Sequence, residues 1–180
     1  MSSIDSCVRL LRQRGDSEYG GESVTQIQHA LQCAMLAEQD DASSELISAA
    51  LLHDVGHLLH TLPDEAPDSG IDDAHEDLGH RYLRQVFGDA VTEPVRLHVP
   101  AKRYMCAKFV GYQDQLSHPS IVSLQLQGGP MTVRETEEFE QNSFADDAVR
   151  LRRWDDAAKI PNLRTPPLEH YIRHLQASIP

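Results

Sequence analysis

The chain has 180 residues, of which 40% are hydrophobic and 24% are charged, and its formal net charge is -12. This length and composition predict one folded domain and exclude an intrinsically disordered protein. The excess of acidic residues argues against nucleic acid as a partner, because binding the phosphate backbone depends on clustered lysine and arginine.

Helical periodicity begins at the N-terminus and continues through the first third of the chain. An amphipathic first helix stops at Gly15, and residues 25–39 carry apolar side chains at helical spacing. Residues 44–53 form a nearly all-apolar helix that runs directly into His53 and Asp54. This last helix is fit for a core, so its ionisable end requires an explanation.

Helical spacing continues in the second half of the chain. Residues 72–87 begin with aspartates, and residues 92–109 read as a helix interrupted at Pro100, since proline lacks the backbone N–H. Thr132 and Glu135 form a capping-box pattern that opens a polar helix. The last two predicted helices cover 146–159 and 167–179. No strand-like alternation persists, so the sequence predicts a single all-α domain over residues 1–180.

Two segments have the composition of loops: 15–23 is rich in glycine and serine, and 60–73 is rich in proline and aspartate. A long loop in a compact domain is more often a lid or a binding loop than a plain connection. We therefore expect 15–23 to act as a lid.

The three cysteines are widely spaced and form no CxxC pair, which indicates reduced thiols and no thiolate metal site. The N-terminal segment does not have the pattern of a signal peptide, and no apolar run has the length of a membrane span. These features predict a cytoplasmic protein without a membrane partner.

The adjacent pair His53 and Asp54 raises a question of burial. An unpaired buried carboxylate is costly, and a bound divalent cation would offset that cost. Neighbouring helical residues point about 100° apart, so both side chains reach one ion only if the helix ends there, which Val55 and Gly56 permit. The alternative is a capping aspartate beside a hydrogen-bonded core histidine.

The order H…HD…H…H…D along the chain resembles the HD-domain superfamily, and its two additional histidines fit the dinuclear members. The resemblance therefore implies an HD-domain helical bundle with two metal ions. The implied ligands are His29, His53, Asp54 and Asp155 for the first metal, and His75 and His98 with a bridging Asp54 for the second.

Further blocks narrow the resemblance: "EYGGESVTQIQHALQCA", "LLHDVGH", "HVPAKRYM", "LQGGPM" and "LRRWDDAAK". Over residues 4 to about 175 the chain is similar to the HD-domain mixed-valent diiron oxygenases of phosphonate degradation. The resemblance implies two iron ions used as an Fe(II)/Fe(III) pair, with O2 as co-substrate. The implied reaction cleaves the C–P bond of a 1-hydroxy-2-aminoethylphosphonate, free or N-trimethylated, to phosphate and glycine or glycine betaine. An upstream phosphonate hydroxylase is implied as the source of the hydroxyl group.

The same resemblance assigns further catalytic and substrate-binding residues. Tyr19 is implied as a removable ligand of the first iron, and Glu22 belongs to the same mobile "YGGE" segment. The positions implied to contact the phosphonate are His57, Lys102, Ser120 and Arg152. The alternatives are an exposed tyrosine in a flexible loop, a surface lysine and an arginine in a salt-bridged helix face.

Two other functions share these residues. A metal-dependent HD-type phosphohydrolase, acting on a small phosphate ester or nucleotide, would use the same ligands and cations, with metal-bound water attacking phosphorus. A catalytically idle HD module that binds a ligand or partner is the third possibility. The features that favour the oxygenase are Tyr19, Glu22 and the "HVPAKRY" and "LQGGPM" blocks. The group that contacts the substrate nitrogen stays open, with Glu22 and the acids of 60–73 as candidates.

Overall fold

The computed structural model describes residues 3–59 and 73–180, and these residues form nine α-helices and no sheet. The predicted all-α fold is therefore confirmed. The helices are α1 (Ile4–Arg14), α2 (Gln26–Gln39), α3 (Ser44–Leu52), α4 (His75–Leu83), α5 (Asp89–Lys108), α6 (His118–Leu126), α7 (Val133–Glu140), α8 (Ala145–Ala157) and α9 (Leu168–Ala177). Two short 3-10 turns lie at Val55–Leu58 and Gln113–Gln115.

Polar side chains fix where most helices begin. Ser3, Thr25, Ser43 and Ser117 each accept a hydrogen bond from a backbone N–H in the first turn of α1, α2, α3 and α6. Such a cap contributes about 1 kcal/mol, because it satisfies a donor that the helix itself leaves unpaired. The predicted capping box at the start of α7 and the predicted end of α1 at Gly15 are both confirmed.

Helix α5 differs from its prediction. It runs without interruption through Pro94 and Pro100, so the expected break at Pro100 is wrong. Each proline removes one backbone hydrogen bond. The helix nevertheless continues because it is packed on several sides, with its middle residues buried against α3, α4 and α8. Helix α6 was not predicted, since its apolar residues do not concentrate on one face.

The apolar helix α3 lies at the centre of the bundle, and every residue from Leu46 to Leu52 is buried. It packs against α2, α5, α8 and α9. A second, smaller core joins α5, α7 and α8 through Leu97, Ala101 and Phe139. Because α3 ends inside the bundle, the residues that follow it are delivered to the space between α2, α4, α5 and α8.

The backbone comes unusually close to itself where α3 ends and α4 begins. A Cβ atom added at Gly56 would lie 1.9 Å from the carbonyl oxygen of His75. Only glycine permits this approach, which fixes the start of α4 against the turn that follows α3.

Of the two predicted loops, 15–23 is described. Its residue Glu18 forms an isolated antiparallel bridge with Thr25. Gly20 and Gly21 within it have φ values of 49° and 78°, which favour glycine. The loop 60–73 lies outside the described residues except for Asp73. Among the helices that are described, none combines the length and the apolar composition needed to cross a bilayer.

Candidate metal centre and substrate pocket

The carboxylate of Asp54 lies between two pairs of imidazoles. Helix α3 ends at Leu52, and the chain turns at Asp54 with φ -98° and ψ 12°, so His53 and Asp54 leave the helical path. Oδ2 of Asp54 is 3.2 Å from Nε2 of His53 and 3.5 Å from Nε2 of His29. Oδ1 is 3.4 Å from Nε2 of both His75 and His98.

We call the group around Oδ2 the first half of the centre (His29, His53 and Asp155) and the group around Oδ1 the second half (His75 and His98). The predicted ligands thus come together as one cluster, supplied by α2, the end of α3, α4, α5 and α8.

Backbone carbonyls set the tautomers of the first half. Nδ1 of His29 donates to the carbonyl of Ala158 at 2.9 Å, and Nδ1 of His53 donates to the carbonyl of Ala50 at 2.9 Å. A carbonyl only accepts, so in the neutral rings both protons are on Nδ1 and both Nε2 atoms carry lone pairs. These two Nε2 atoms are 3.2 Å apart. Two lone pairs that face each other at this distance require a cation between them.

In the second half, Nδ1 of each histidine again donates a hydrogen bond, but the two acceptors differ in kind. Nδ1 of His98 donates to the carbonyl of Val95 at 2.6 Å, whereas Nδ1 of His75 donates to the carboxylate of Asp73 at 2.9 Å. The two Nε2 atoms are 3.1 Å apart. Hydrogen bonds from the distal ring nitrogen are the usual way in which proteins orient metal-binding histidines.

The carboxylates of the centre also have oxygen atoms that are suited to bind a cation. Oδ2 of Asp54 is buried and has no hydrogen-bond partner among the described residues. Oδ2 of Asp155 accepts from Arg152 at 2.8 Å, which leaves Oδ1 facing His29 at 3.4 Å. Although burial alone would lower the pKa of His53, the charge of Asp54 raises it to about 9. A metal cation between His53 and Asp54 would balance the same charge.

The distances fit a pair of first-row metal ions. Two ligand atoms that each lie about 2.1 Å from one ion are roughly 3.0–3.4 Å apart at bond angles of about 90–110°. The facing nitrogen and oxygen atoms of both halves lie 3.1–3.5 Å apart, except for Nε2 of His53 and Oδ1 of Asp155, which are 4.0 Å apart. Imidazole and carboxylate donors suit iron and manganese alike. The assignment of the six residues as ligands stays a prediction that this geometry supports.

Tyr19 covers the first half. Its ring stacks on His29 with centroids 3.9 Å apart, and its hydroxyl donates to Oδ1 of Asp155 at 3.4 Å. Burial, followed by the charges of Asp155 and Asp54, raises the pKa of the Tyr19 phenol, which keeps it protonated. The alternative of an exposed tyrosine is therefore wrong.

Two buried cations lie beside the first half. Lys102 is 2% exposed and donates from Nζ to Oγ of Ser123 at 2.8 Å, and Arg152 is 4% exposed. Arg152 is paired with Asp155 and with Asp156. Burial, together with the positive charge of Arg152, lowers the pKa of Lys102 to about 7. Lys102 is therefore no surface lysine.

His57 lies beside the second half, where its ring stacks on His75 at 3.9 Å. Its Nδ1 is 2.6 Å from Oδ2 of Asp73, so Asp73 contacts both His57 and His75. By sequence, Asp73 is only one acid among several in the second loop.

Three further residues lie close to the site, and the sequence analysis assigned none of them a role of its own. Lys159 contacts Glu22 and the hydroxyl of Ser120 at 3.1 Å each. Sγ of the buried Cys33 lies 3.7 Å from Nε2 of His29. Cys33 follows His29 by one helical turn, a spacing that could have indicated it; burial raises the pKa of its thiol, which therefore stays neutral. The third is Asp73, which only the folded chain places between two imidazoles.

Comparisons with known proteins agree with this geometry. The HD domain family matches residues 27–134. The chain is 48% identical over 177 residues to hydroxymethylphosphonate dioxygenase of Gimesia maris, an alignment that covers 98% of this chain and 88% of the relative. It is 42% identical over 170 residues to [1-hydroxy-2-(trimethylamino)ethyl]phosphonate dioxygenase (glycine-betaine-forming) of Leisingera caerulea, with coverages of 94% and 87%.

The chain belongs to the HD-domain phosphonate dioxygenases. The family resemblance predicted from the sequence is confirmed, as is the assignment to the oxygenase enzymes. In this dioxygenase the predicted ligands come from the middle of α5 as well as from residues near the ends of other helices, while Tyr19 of the "YGGE" loop covers the first half of the centre.

Proposed function

We propose that this dioxygenase cleaves the C–P bond of a 1-hydroxyphosphonate, using O2 and two iron ions as an Fe(II)/Fe(III) pair. The observation that carries the proposal is the position of Asp54, whose two oxygens face the Nε2 atoms of two pairs of imidazoles, while Nδ1 of each ring makes a separate hydrogen bond. A carboxylate shared in this way suits a two-metal centre. The ligand set is that named above, with Asp54 as the bridge.

Bound iron would supply the binding and reduction of O2 and would polarise the substrate hydroxyl. The chain itself supplies the position of the substrate. Lys102 and Arg152 can donate charge-assisted hydrogen bonds to the phosphonate oxygens, and their burial strengthens those bonds. Ser120 and His57 are the remaining predicted contacts with the anion. An anchored phosphonate fixes which C–H bond faces the metals.

Tyr19 has to move when the substrate arrives. Its hydroxyl is bonded to the metal-facing oxygen of Asp155, so it occupies the position that a chelating substrate needs. The two glycines that follow it give the backbone freedom for this movement. Once displaced, the loop can close over the substrate and exclude water.

The overall reaction balances with one molecule of O2. A 1-hydroxyphosphonate dianion plus O2 gives a carboxylate and dihydrogen phosphate, and the four electrons that reduce O2 come from the hydroxyl-bearing carbon and the C–P bond. The relatives act, by name, on a hydroxymethyl substrate and on a trimethylaminoethyl substrate. The resemblance in the sequence implies only substrates that carry nitrogen, so the hydroxymethyl substrate is an addition.

The competing activity is metal-dependent hydrolysis of a phosphate ester, which would use the same ligands and the same buried cations. Tyr19 at the metal centre supports the oxygenase, because its displacement by a chelating hydroxyl gives it a role that hydrolysis does not require. We further propose a cytoplasmic protein and an upstream hydroxylase that produces the hydroxyphosphonate.

The test measures O2 uptake and phosphate release in one vessel, with protein loaded anaerobically with iron. The substrates are hydroxymethylphosphonate, 2-amino-1-hydroxyethylphosphonate and its N-trimethyl form, and a phosphate monoester serves as the comparison. We expect O2 and phosphate in equal amounts with at least one phosphonate, and neither with protein kept free of metal. Phosphate released from the ester without O2 uptake, with all three phosphonates silent, would establish the hydrolase instead.

A further inference from the structure

A second group of histidine and carboxylate side chains joins helix α9 to the end of α2. We call it the α9 cluster (Glu38, His170, Arg173 and His174). Nε2 of His170 lies 3.0 and 2.9 Å from the two carboxylate oxygens of Glu38, and Nε2 of His174 lies 3.3 Å from Oε1. Glu38 follows His29 in the same helix at a distance of about 13 Å along the axis. The α9 cluster is therefore separate from the metal centre and shares no residue with it.

The spacing of the two histidines is that of a helical metal site. His170 and His174 are four residues apart on α9, so their side chains lie on one face of the helix. Two histidines at this spacing bind zinc in many proteins, and a glutamate from elsewhere in the chain completes a His2Glu set that leaves one tetrahedral position for water. The α9 cluster offers these residue types in that arrangement, with Glu38 as the glutamate.

Ser44 supports the ring of His174. Nδ1 of His174 lies 3.1 Å from Oγ of Ser44, which is the first residue of α3. When Nδ1 carries the ring proton and donates it to this hydroxyl, Nε2 keeps a lone pair that can bind a metal ion. Such a hydrogen bond from the distal nitrogen orients the ring, as it does in most metal-binding histidines.

The guanidinium group of Arg173 occupies the place of a cation in the α9 cluster. Its Nη2 donates to Oε1 of Glu38 at 2.6 Å and to Nε2 of His170 at 3.1 Å, while its Nε donates to Nε2 of His174 at 3.2 Å. One cationic group thus uses all three acceptors that a zinc ion would use. The Arg173 side chain is 60% exposed, and exposed ion pairs are weak, so it can turn into solvent at little cost.

The contacts of His170 also favour a shared cation. When its Nε2 accepts from Arg173, the same lone pair faces a carboxylate oxygen of Glu38 at 2.9 Å. Two electron-rich atoms at this distance repel each other unless a positive charge lies between them. A divalent ion bound to both atoms would remove this repulsion more completely than a guanidinium group beside them.

We propose that His170, His174 and Glu38 bind a zinc ion that connects α9 to α2, with water as the fourth ligand. Zinc displaces the guanidinium group of Arg173 from the three acceptors. Tetrahedral zinc requires ligand atoms about 3.3 Å apart, which rotation of the partly exposed side chains provides. Because the ion binds only the folded chain, it stabilises the attachment of α9 to the bundle. The inference is independent of the proposed function, since none of its residues belongs to the centre or to the substrate pocket.

The test counts zinc ions per chain in wild type, His174→Ala and His80→Gln, which are dialysed against the same zinc buffer and analysed by atomic emission. We expect wild type to hold one zinc ion more than His174→Ala, because loss of one of three ligands weakens zinc binding about a hundredfold. His80 is the matched control. It lies 3.1 Å from a carboxylate oxygen of Glu93, but the residues four positions away, Glu76 and Arg84, are not histidines.

His80→Gln should therefore hold as many zinc ions as wild type. The difference between variants is compared, so metal bound at the centre cancels whatever its amount. Zinc should also raise the thermal unfolding midpoint of wild type by more than that of His174→Ala. Equal zinc contents of wild type and His174→Ala would overturn the inference.

Two further variants keep the test valid if His174→Ala is poorly folded, because both leave the three ligands in place. Arg173→Ala removes the competing cation and should tighten zinc binding about two- to fivefold, the contribution of an exposed ion pair. Ser44→Ala removes the support of the His174 ring and should weaken zinc binding about tenfold. If the α9 cluster is only a network of ion pairs, neither substitution changes the zinc affinity, and that result would also overturn the inference.

Discussion

The two halves of the centre share one carboxylate and differ in what holds their imidazoles. In the first half, both histidines are bonded to backbone carbonyls, those of Ala158 and Ala50, within or at the end of buried helices. In the second half, His75 is held by the side chain of Asp73, just before α4 begins. A carbonyl in a helical turn moves only with the backbone, whereas a carboxylate side chain has rotational freedom of its own.

This difference suggests separate roles for the two halves of the centre. The first half lies against the lid tyrosine and the buried Arg152, so we expect it to be the rigid part of the substrate site. The second half is connected through Asp73 to His57, a predicted phosphonate contact. We therefore expect Asp73 to couple the position of the His75 imidazole to an anion bound at His57. Variants of the residues that join or support the halves should separate these roles.

The largest effect is expected from Asp54→Ala, which removes the one group common to both halves. Both metals should be lost together, from about two per chain to nearly none, and activity should fall at least about a thousandfold because no two-metal centre remains. Metal content measured by atomic emission, alongside O2 uptake, checks this. Asp146→Ala removes an exposed acid from α8 and is the matched control. Two metals retained by Asp54→Ala would refute the bridge.

Gly56→Ala should affect mainly the second half. The added methyl group would lie 1.9 Å from the carbonyl of His75, so α4 has to shift. We expect a loss of about 1–3 kcal/mol in the free energy of unfolding, the usual cost of overpacking. The second metal should be lost while the first is retained. Gly79 lies in α4 itself. A Cβ atom added there meets only ordinary contacts, with Val55 at 3.4 Å, so Gly79→Ala should lose no metal. Urea unfolding and metal analysis of both variants give the comparison.

Asp73→Ala removes the support of His75 without a steric clash. The affinity for the second metal should fall about 10–100-fold, while the affinity for the first is unchanged. Anaerobic titration with Fe(II), followed by Mössbauer or absorption spectroscopy, distinguishes the two sites. His98→Ala is a useful comparison, since it removes a ligand of the same half directly. Equal weakening of both metals would mean that the two halves are not independently supported.

The smallest expected effect is the uptake of a proton by Lys102 when the phosphonate binds. The pKa of Lys102 is lowered to about 7 by burial and by Arg152, so at pH 8 this lysine is mostly neutral in the free enzyme. A bound phosphonate dianion should raise that pKa, and binding at pH 8 should then take up about one proton more than in Lys102→Arg, whose guanidinium is already charged. Calorimetry in buffers of different ionisation enthalpy measures this difference. No difference at pH 8 would mean that Lys102 does not contact the anion.

The lowered pKa also has a consequence for stability in the metal-free protein. Because the pKa of Lys102 is lower in the folded than in the unfolded chain, its contribution to stability is present above about pH 10 and is lost as the pH falls toward 7. Unfolding of wild type and Lys102→Met should therefore diverge as the pH falls through this range. Parallel curves would contradict the burial of an ionisable group at this position.

The sequence predicted the helices with strong periodicity and their polar caps, because those signals are local. It placed a break at Pro100, which is absent, since the packing of α5 on several sides outweighs one missing hydrogen bond. The six metal-facing residues were found through their order along the chain, which is typical of a known family. Geometry alone then added the tautomers that support their assignment.

Lys159 and Asp73 could not be assigned in the same way. A lysine at the end of a helix and an aspartate in an acidic loop are ordinary surface residues by composition. Their partners, Glu22 and His57, are distant in sequence. Only the fold brings each of them to the pocket.

Helices α5 and α8 pack against each other, and each carries one residue of the metal centre and one cation of the substrate pocket. His98 and Lys102 are four residues apart, which is about 6 Å along the axis, and Asp155 and Arg152 are three residues apart, about 4.5 Å. Each helix therefore fixes the distance along its axis between these two residues. In the proposed function, each helix sets the distance between one predicted metal ligand and one predicted phosphonate contact before any substrate arrives. Inserting one residue between the two positions in either helix would rotate its cation by about 100° relative to the metal centre. The phosphonate would then not be held while its carbon is oxidised.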